Sequence, residues 1–458
     1  MDESIFREYD IRGTYPTQIN ERVAYTIGRS YGSYIQEKLK RKICGVGRDN
    51  RLSSPSLTRE LIRGITESGC DVIDFGLVTT PLYFFGCLKA NVIIGVMVTA
   101  SHNPKDDNGF KFSVDHLGNA RGEQVYDFKD YTLAGRFLTG NGKVTEFDPS
   151  EYYKSFIKEN IDMGERRIKV VLDCGNGATS LFAKDIYSQF PNLDITMICD
   201  EDDATYPNHH PDPAVNANNK MLQEKVLEVG ADIGLGFDGD GDRVGFVDEK
   251  GKIIPIDKAM IIYIRNIIND VNPKKFLYDV KCSKALEDEI IKLGGEPICY
   301  RTGASWTRYA TNKQGLPFGG EFSGHMFFRD RWPGFDSGLY NGLRMIEILS
   351  KTDRPLSSLL DGINNYYSTP EIKVPVTDDT KFEIVKGVLE YTKGQNYKVL
   401  DIDGARVTFE DGWALVRASN TGPNLTVRYE AKTEERLKEI EEEFNKVIDK
   451  EKERLGLK

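Results

Sequence analysis

Thr99-Ala100-Ser101-His102-Asn103-Pro104 directly follows the apolar run Val92-Ile93-Ile94-Gly95-Val96-Met97-Val98. The run falls far short of the ~20 residues a membrane span needs and is rich in β-branched side chains, so it reads as a buried strand. Pro104 forces Asn103 into extended geometry and prevents a helix from starting at once. Ser101 is thereby held on an ordered turn at a strand's carboxyl end, where open α/β sheets place their ligands. Two roles fit such a serine: a nucleophile, or a hydroxyl that satisfies a turn.

A second stretch, Asp238-Gly239-Asp240-Gly241-Asp242-Arg243, also follows a strand-like run, Asp232 to Phe237. Three carboxylates this close repel one another unless a cation or water lies between them. The glycines let the backbone curl so that all three converge. An incomplete set of hard oxygen ligands suits Mg²⁺, with a phosphate on Ser101 as a further ligand. Asp238, Asp240, Asp242 and Glu249 also sit at positions 1, 3, 5 and 12 of an EF-hand pattern. Position 6, however, is Arg243 rather than glycine, and the flanks are strand-like, which rejects that reading. Arg243 beside the metal suits bracing a phosphate oxygen.

The TASHNP loop together with DGDGDR resembles the α-D-phosphohexomutases, in the phosphomannomutase/phosphoglucomutase branch, and the resemblance spans nearly the whole chain. It implies a phosphoryl group on Ser101 and Mg²⁺ held by Ser101, Asp238, Asp240 and Asp242. Phe6-Arg7-Glu8-Tyr9-Asp10-Ile11-Arg12-Gly13 is similar to the family's FRxYDIRG element, which implies that Tyr9 and Arg12 face the substrate. Asp107-Asn108-Gly109-Phe110-Lys111-Phe112 contains the NGFK element, which implies an active-site role for Lys111.

Further on, Gly320-Glu321-Phe322-Ser323-Gly324-His325 resembles the GEMSGH sugar-recognition motif, with Phe322 in place of methionine. Glu321 and Ser323 then read sugar hydroxyls, and His325 joins Lys111 and Arg12 as a proton-transfer candidate. Without the motif, His325 is better read as a satisfied core histidine. Lys281, at the end of the strand-like run from Lys275, is a further candidate for binding substrate. Arg417-Ala418-Ser419-Asn420-Thr421-Gly422 gathers donors without a carboxylate, as phosphate cradles and ordinary turns both do. Its match to the RASNT loop makes Arg417, Ser419, Asn420 and Thr421 the expected anchor of the nonreacting phosphate. The family's TGHS element is here Thr302-Gly303-Ala304-Ser305, so a histidine near the sugar is missing.

Length and charge set the outer limits. At 458 residues the chain exceeds a single core, and its net charge of −10 disfavours nucleic acid and anionic membranes. The start, Met1-Asp2-Glu3-Ser4-Ile5-Phe6, lacks a signal peptide's basic and apolar regions, so a cytoplasmic enzyme is expected. Seven cysteines without a CxxC pair suit reduced, buried thiols. Acidic Asp200-Glu201-Asp202-Asp203 and proline-broken His209-His210-Pro211-Asp212 invite a metal reading, but runs of this kind are usually solvated loops.

Alternating strand and helix patterns restart near residues 150 and 255, and the character changes after Tyr366. The expected fold class is α/β: three similar mixed α/β domains plus a smaller C-terminal α+β domain around a central cleft. The divisions are 1–150 with the phosphoserine loop, 151–253 with the metal loop, 254–366 with the sugar loop, and 367–458 binding phosphate. The expected reaction interconverts hexose 1-phosphate and hexose 6-phosphate, glucose or mannose, through a hexose 1,6-bisphosphate intermediate. The only expected partner is a phosphosugar, the chain being a monomer or weak homo-oligomer. Alternatives are a phosphoglucosamine mutase, whose glutamine variant of the sugar loop is absent, a phosphoserine metal-dependent sugar phosphatase, and a noncatalytic sugar-phosphate sensor. A serine hydrolase is disfavoured because Ser101 lacks a GxSxG elbow and His102, next in sequence, is expected to point away from it.

Overall fold

Four sheets order the molecule, seen in a computed structural model that describes residues 1–419 and 422–457. The first has the order Ile11–Thr14, Asp107–Phe112, Gly95–Val98, Ile43–Arg48, Asp71–Leu77, Val144–Glu146. Its middle is parallel, and Asp107–Phe112 returns antiparallel beside Gly95–Val98. Two helices, Glu21–Glu37 and Ser54–Glu67, lie against each other at backbone distance. A Cβ on Gly28 would stand 2.2 Å from the Leu61 carbonyl oxygen, so only glycine permits that approach.

The strand before the serine loop is shorter than its sequence suggests, starting at Gly95. Asn91 adopts φ +55° after the helix Thr80–Lys89, and the Val92 N–H donates to the Cys87 carbonyl. Val92 therefore closes the helix instead of extending the strand.

The second sheet runs Ile253–Ile254, Val244–Asp248, Ile233–Phe237, Ile168–Asp173, Leu193–Ile198. The third runs Glu296–Tyr300, Lys275–Asp279, Phe318–Gly320, Met326–Phe328. Both repeat the device of the first. A strand parallel to the sheet's centre is followed by an antiparallel neighbour, and the loop between them is one of the sequence's polar loops: 99–106, 238–243 or 321–325. A hairpin returns the chain within a few residues, so each loop is held at both ends.

The last sheet is antiparallel and includes Gly412–Ala418 paired with Asn424–Ala431. Helices Lys381–Gly394 and Glu434–Arg454 cover it, the latter burying Ile440, Phe444, Val447 and Ile448. One apolar cluster joins the first three units, including Phe84, Tyr153, Leu235, Tyr263, Phe328 and Leu343. The fourth has its own core and meets the third through a small patch of Val280, Trp413 and Leu415. All seven cysteines are free thiols, six of them buried.

Candidate active site

The serine loop is organised from beneath by Arg51, which is 1% exposed. Its guanidinium donates to the carbonyls of Ser101 (2.9 Å), Asn103 (2.7 Å), Pro104 (2.6 Å) and Asp107 (2.9 Å). The Ser101 N–H donates to Thr99 Oγ1, and Ser101 itself adopts φ +50°, uncommon for a non-glycine residue. Its hydroxyl donates to Asp238 Oδ2 at 3.0 Å.

His102 corrects the sequence reading, because its Nδ1 lies 3.2 Å from Ser101 Oγ instead of pointing away. Strand alternation does not extend through a left-handed residue, so neighbours 101 and 102 face the same side. Burial first, then the charges of Arg243 and Arg12, hold the His102 imidazole well below its ordinary pKa and therefore neutral.

Asp238, Asp240 and Asp242 are at most 2% exposed, and each brings a carboxylate oxygen within 4.8 Å of the others. Arg243 donates to Asp238 from its backbone N–H and Nε. Asp240 Oδ2 accepts from Thr80, Thr99 and Lys111, and Asp242 Oδ2 accepts from Lys111, with both lysine contacts at 2.7 Å. Burial, then its two acidic neighbours, push Asp238 up to about 7 against the opposing pull of Arg243 and Lys111. Three carboxylates thus face Lys111 and Arg243, with His325 3.7 Å from Asp242, and Oδ1 of both Asp240 and Asp242 is buried without a hydrogen-bond partner. Orphaned hard oxygens in such a set fit a divalent hard cation.

Loops meet directly here. The Ala178 N–H donates to the Gly239 carbonyl, and a Cβ on Gly239 would stand 2.6 Å from the Ser101 carbonyl oxygen. Arg243 extends the assembly by donating to the Ser323 carbonyl and pairing with Asp212.

Glu321, 2% exposed, accepts from the Gly303 N–H (2.7 Å) and Thr307 Oγ1 (2.6 Å), while Ser323 donates to its other oxygen. His325 pairs through Nδ1 with Asp336 at 2.7 Å and lies 3.7 Å from Asp242. Burial opposes its charged form, yet Asp242 and Asp336 outweigh that and push it up to about 9. Arg12 donates to Asn103 Oδ1 and pairs with Asp10. Tyr9 packs on Gly303, and burial above all raises its hydroxyl to about 12. Lys281 pairs with Glu371, and Arg417 makes a two-pronged contact with Asp403. The Ser419 carbonyl accepts from buried Lys381. Asn420 and Thr421 lie outside the described residues. The expected set, those two apart, thus sits on loops and strand ends of all four units.

Models of the phosphoglucomutase/phosphomannomutase alpha/beta/alpha domains I, II and III match residues 3–130, 150–251 and 255–366, and the C-terminal domain model matches 371–447. The chain belongs to the phosphoglucomutase/phosphomannomutase family. It is 40% identical over 455 residues to the phosphomannomutase/phosphoglucomutase of Pseudomonas syringae pv. tomato, spanning 98% of this chain and 96% of that one. It is 38% identical over 451 residues to a phosphoglucomutase of Neisseria meningitidis serogroup A, spanning 97% and 96%. The crystal structure of a family protein from Burkholderia thailandensis matches with a TM-score of 0.92 at 35% identity, covering 99% of this chain and 98% of that one.

Several members of this cluster carry little signal in the sequence. Arg51, Thr80 and Asp336 are ordinary residues until tertiary structure brings them to the loops. The His209 to Asp212 segment is a correction. His210 Nε2 donates to the His102 carbonyl at 2.5 Å, and Asp212 holds Arg243, so this loop backs the serine instead of facing water. The acidic run before it is mostly exposed, as expected.

Proposed function

We propose that the chain interconverts hexose 1-phosphate and hexose 6-phosphate through a phosphorylated Ser101, using both glucose and mannose. Family membership supplies the reaction class, and the contact of Ser101 Oγ with Asp238, 3.0 Å, carries the assignment of the nucleophile. Asp238, Asp240 and Asp242 would hold Mg²⁺, with an oxygen of the phosphoserine; the ion would neutralise charge on the transferring phosphoryl group.

The protein's own groups do the rest. Lys111, held by Asp240 and Asp242, and Arg243, held by Asp238, supply fixed positive charge where three phosphoryl oxygens must sit. Arg417, Ser419, Asn420 and Thr421 hold the distal phosphate, assisted by Lys281. Glu321, oriented by Gly303 and Thr307, accepts sugar hydroxyls together with Ser323 and sets the ring's depth. Tyr9 and Arg12 close the side formed by the first unit. The attacking sugar hydroxyl loses its proton as its oxygen bonds to phosphorus and the Ser101 Oγ–P bond breaks. Lys111, His325 and Arg12 are the candidates for moving that proton; His325, held as imidazolium by Asp242 and Asp336, first gives its own proton to the leaving Ser101 oxygen and then takes the sugar's. The 1,6-bisphosphate must reverse end for end, so the sugar contacts must serve both orientations. Groups that read O3 and O4 do so, and they do not sense C2, where glucose and mannose differ.

Intact-mass analysis tests the reading together with assays on glucose 1-phosphate and mannose 1-phosphate. The wild-type protein should carry one phosphoryl group that Ser101→Ala lacks, and the variant should lose turnover. Free phosphate as the main product would establish a phosphatase instead, and a preference of several orders of magnitude for one sugar would end dual use.

A further inference from the structure

Asp173, Cys199 and His209 bring one carboxylate oxygen, the thiol sulfur and one imidazole nitrogen within 4.8 Å of one another, apart from the serine and aspartate loops. We propose that this cluster is a second metal site, for a borderline-soft divalent cation of the zinc class.

The imidazole is oriented as a ligand. Its Nδ1–H donates to the His210 carbonyl at 3.0 Å, which aims Nε2 at Asp173, 3.0 and 3.1 Å from the two carboxylate oxygens. A carbonyl that fixes the far nitrogen is the usual companion of a metal-bound histidine. An imidazole nitrogen facing a carboxylate needs a positive charge between them, either a proton or a metal ion. With nitrogen and oxygen ligands both at ~2.0 to 2.2 Å, a tetrahedral ion separates them by about 3.4 Å, a few tenths beyond the present spacing. The exchange keeps charge constant: imidazolium, carboxylate and thiol sum to zero, as do M²⁺, neutral imidazole, carboxylate and thiolate. A site mostly removed from water therefore changes ion without burying net charge. The thiolate selects against Mg²⁺, which prefers oxygen ligands. Three protein ligands leave the fourth position to water.

The cluster joins segments that back the serine and aspartate loops. His210 follows His209 and holds the His102 carbonyl; the Cys199 carbonyl accepts from the Asn176 N–H, and Ala178 holds Gly239. A metal ion here braces those two loops from behind, a structural role distinct from the chemistry in the cleft.

The test uses reduced, full-length protein with Mg²⁺ in large excess, titrated with Co²⁺. One equivalent should bind with a near-ultraviolet thiolate-to-cobalt absorption and raise Tm. Cys199→Ser and His209→Gln should lose that absorption and that Tm rise, and Cys199→Ser should keep turnover in Mg²⁺ alone within about twofold. X-ray absorption of Cd²⁺-loaded wild-type protein reads sulfur coordination without any variant. Binding with no sulfur ligand, unchanged binding in Cys199→Ser, or no binding beyond the Mg²⁺ site would each reduce the cluster to a proton-bridged ion pair and overturn the proposal.

Discussion

Lys111 illustrates how much one side chain can balance. Its ammonium lies 2.7 Å from both Asp240 and Asp242, inside a site where all three groups are buried. Burial alone would disfavour its charge, but the two carboxylates more than reverse that and raise its pKa. Removing one partner of a buried ionic set costs ~3 to 5 kcal/mol, because the remaining charges are left uncompensated. Lys111→Met should therefore unfold at markedly lower denaturant when chelator is present, and Mg²⁺ should restore more stability to it than to the wild type. Equal responses to Mg²⁺ would show that the lysine does not balance those aspartates. The sequence exposed Lys111 through a motif, and the aspartates through their own spacing. It gave no sign of Arg51 or Asp336, because a charge's partners come from other strands. His102 departs from the sequence expectation for a different reason: the left-handed backbone at Ser101 is a tertiary outcome that no local pattern announces.

Hairpin loops are the elements on which the site depends. The strand-like runs and polar loops were legible from hydrophobic patterning and turn residues. Their antiparallel return was not, since the same alternation serves either pairing direction. Nor was the closeness of two loops from different sheets. Gly239 measures that closeness, because an added Cβ would press on the Ser101 carbonyl at 2.6 Å, and backbone cannot swing aside as a flexible side chain can. Gly239→Ala should cost ~1 to 3 kcal/mol as an overpacked site and lower kcat far more than KM, since it separates serine from aspartates while leaving the distal phosphate cradle alone. Steady-state kinetics check this; an unchanged kcat would mean the two loops need not touch.

The turn after Val244–Asp248 offers an element-scale pH test. Glu249 accepts from the N–H and hydroxyl of Ser357, tying the second unit to the short helix Leu356–Leu360 of the third. Burial would raise its pKa, but those hydrogen bonds prevail and lower it. A carboxylate depressed in the folded state contributes stability above its unfolded value, about 4.3, and loses it as pH falls through the lower folded value. Glu249→Gln should then be less stable than the wild type by about 1 kcal/mol at pH 7, with the gap closing in acid. Urea unfolding at several pH values reads the difference, and a gap that widens in acid would refute the assignment.

The architecture of the whole molecule follows from its cores. Three units share one apolar cluster, whereas the fourth is self-contained and meets the third at Val280, Trp413 and Leu415. Division into α/β units and a different last domain was readable from the restarting pattern. That the first three are fused by a continuous core was not, because shared burial has no sequence period. Polar contacts supplement the small patch: Asp403 accepts from the Thr302 N–H while holding Arg417, and Glu371 pairs with Lys281 at 3.1 Å. Both cations so engaged are ones proposed to bind substrate phosphate, so each carboxylate has a second effect. Glu371 is partly exposed and competes with an incoming phosphate for Lys281; its removal should improve binding by no more than about 1 kcal/mol, or roughly fivefold in KM. Asp403 instead aims the Arg417 guanidinium, so Asp403→Ala should raise KM. Glu371→Gln and Asp403→Ala thus move KM in opposite directions while both loosen the fourth domain, seen as a larger radius of gyration in solution scattering. A rise in KM for both would mean that the two carboxylates act only as tethers, and that Lys281 has no part in holding the phosphate.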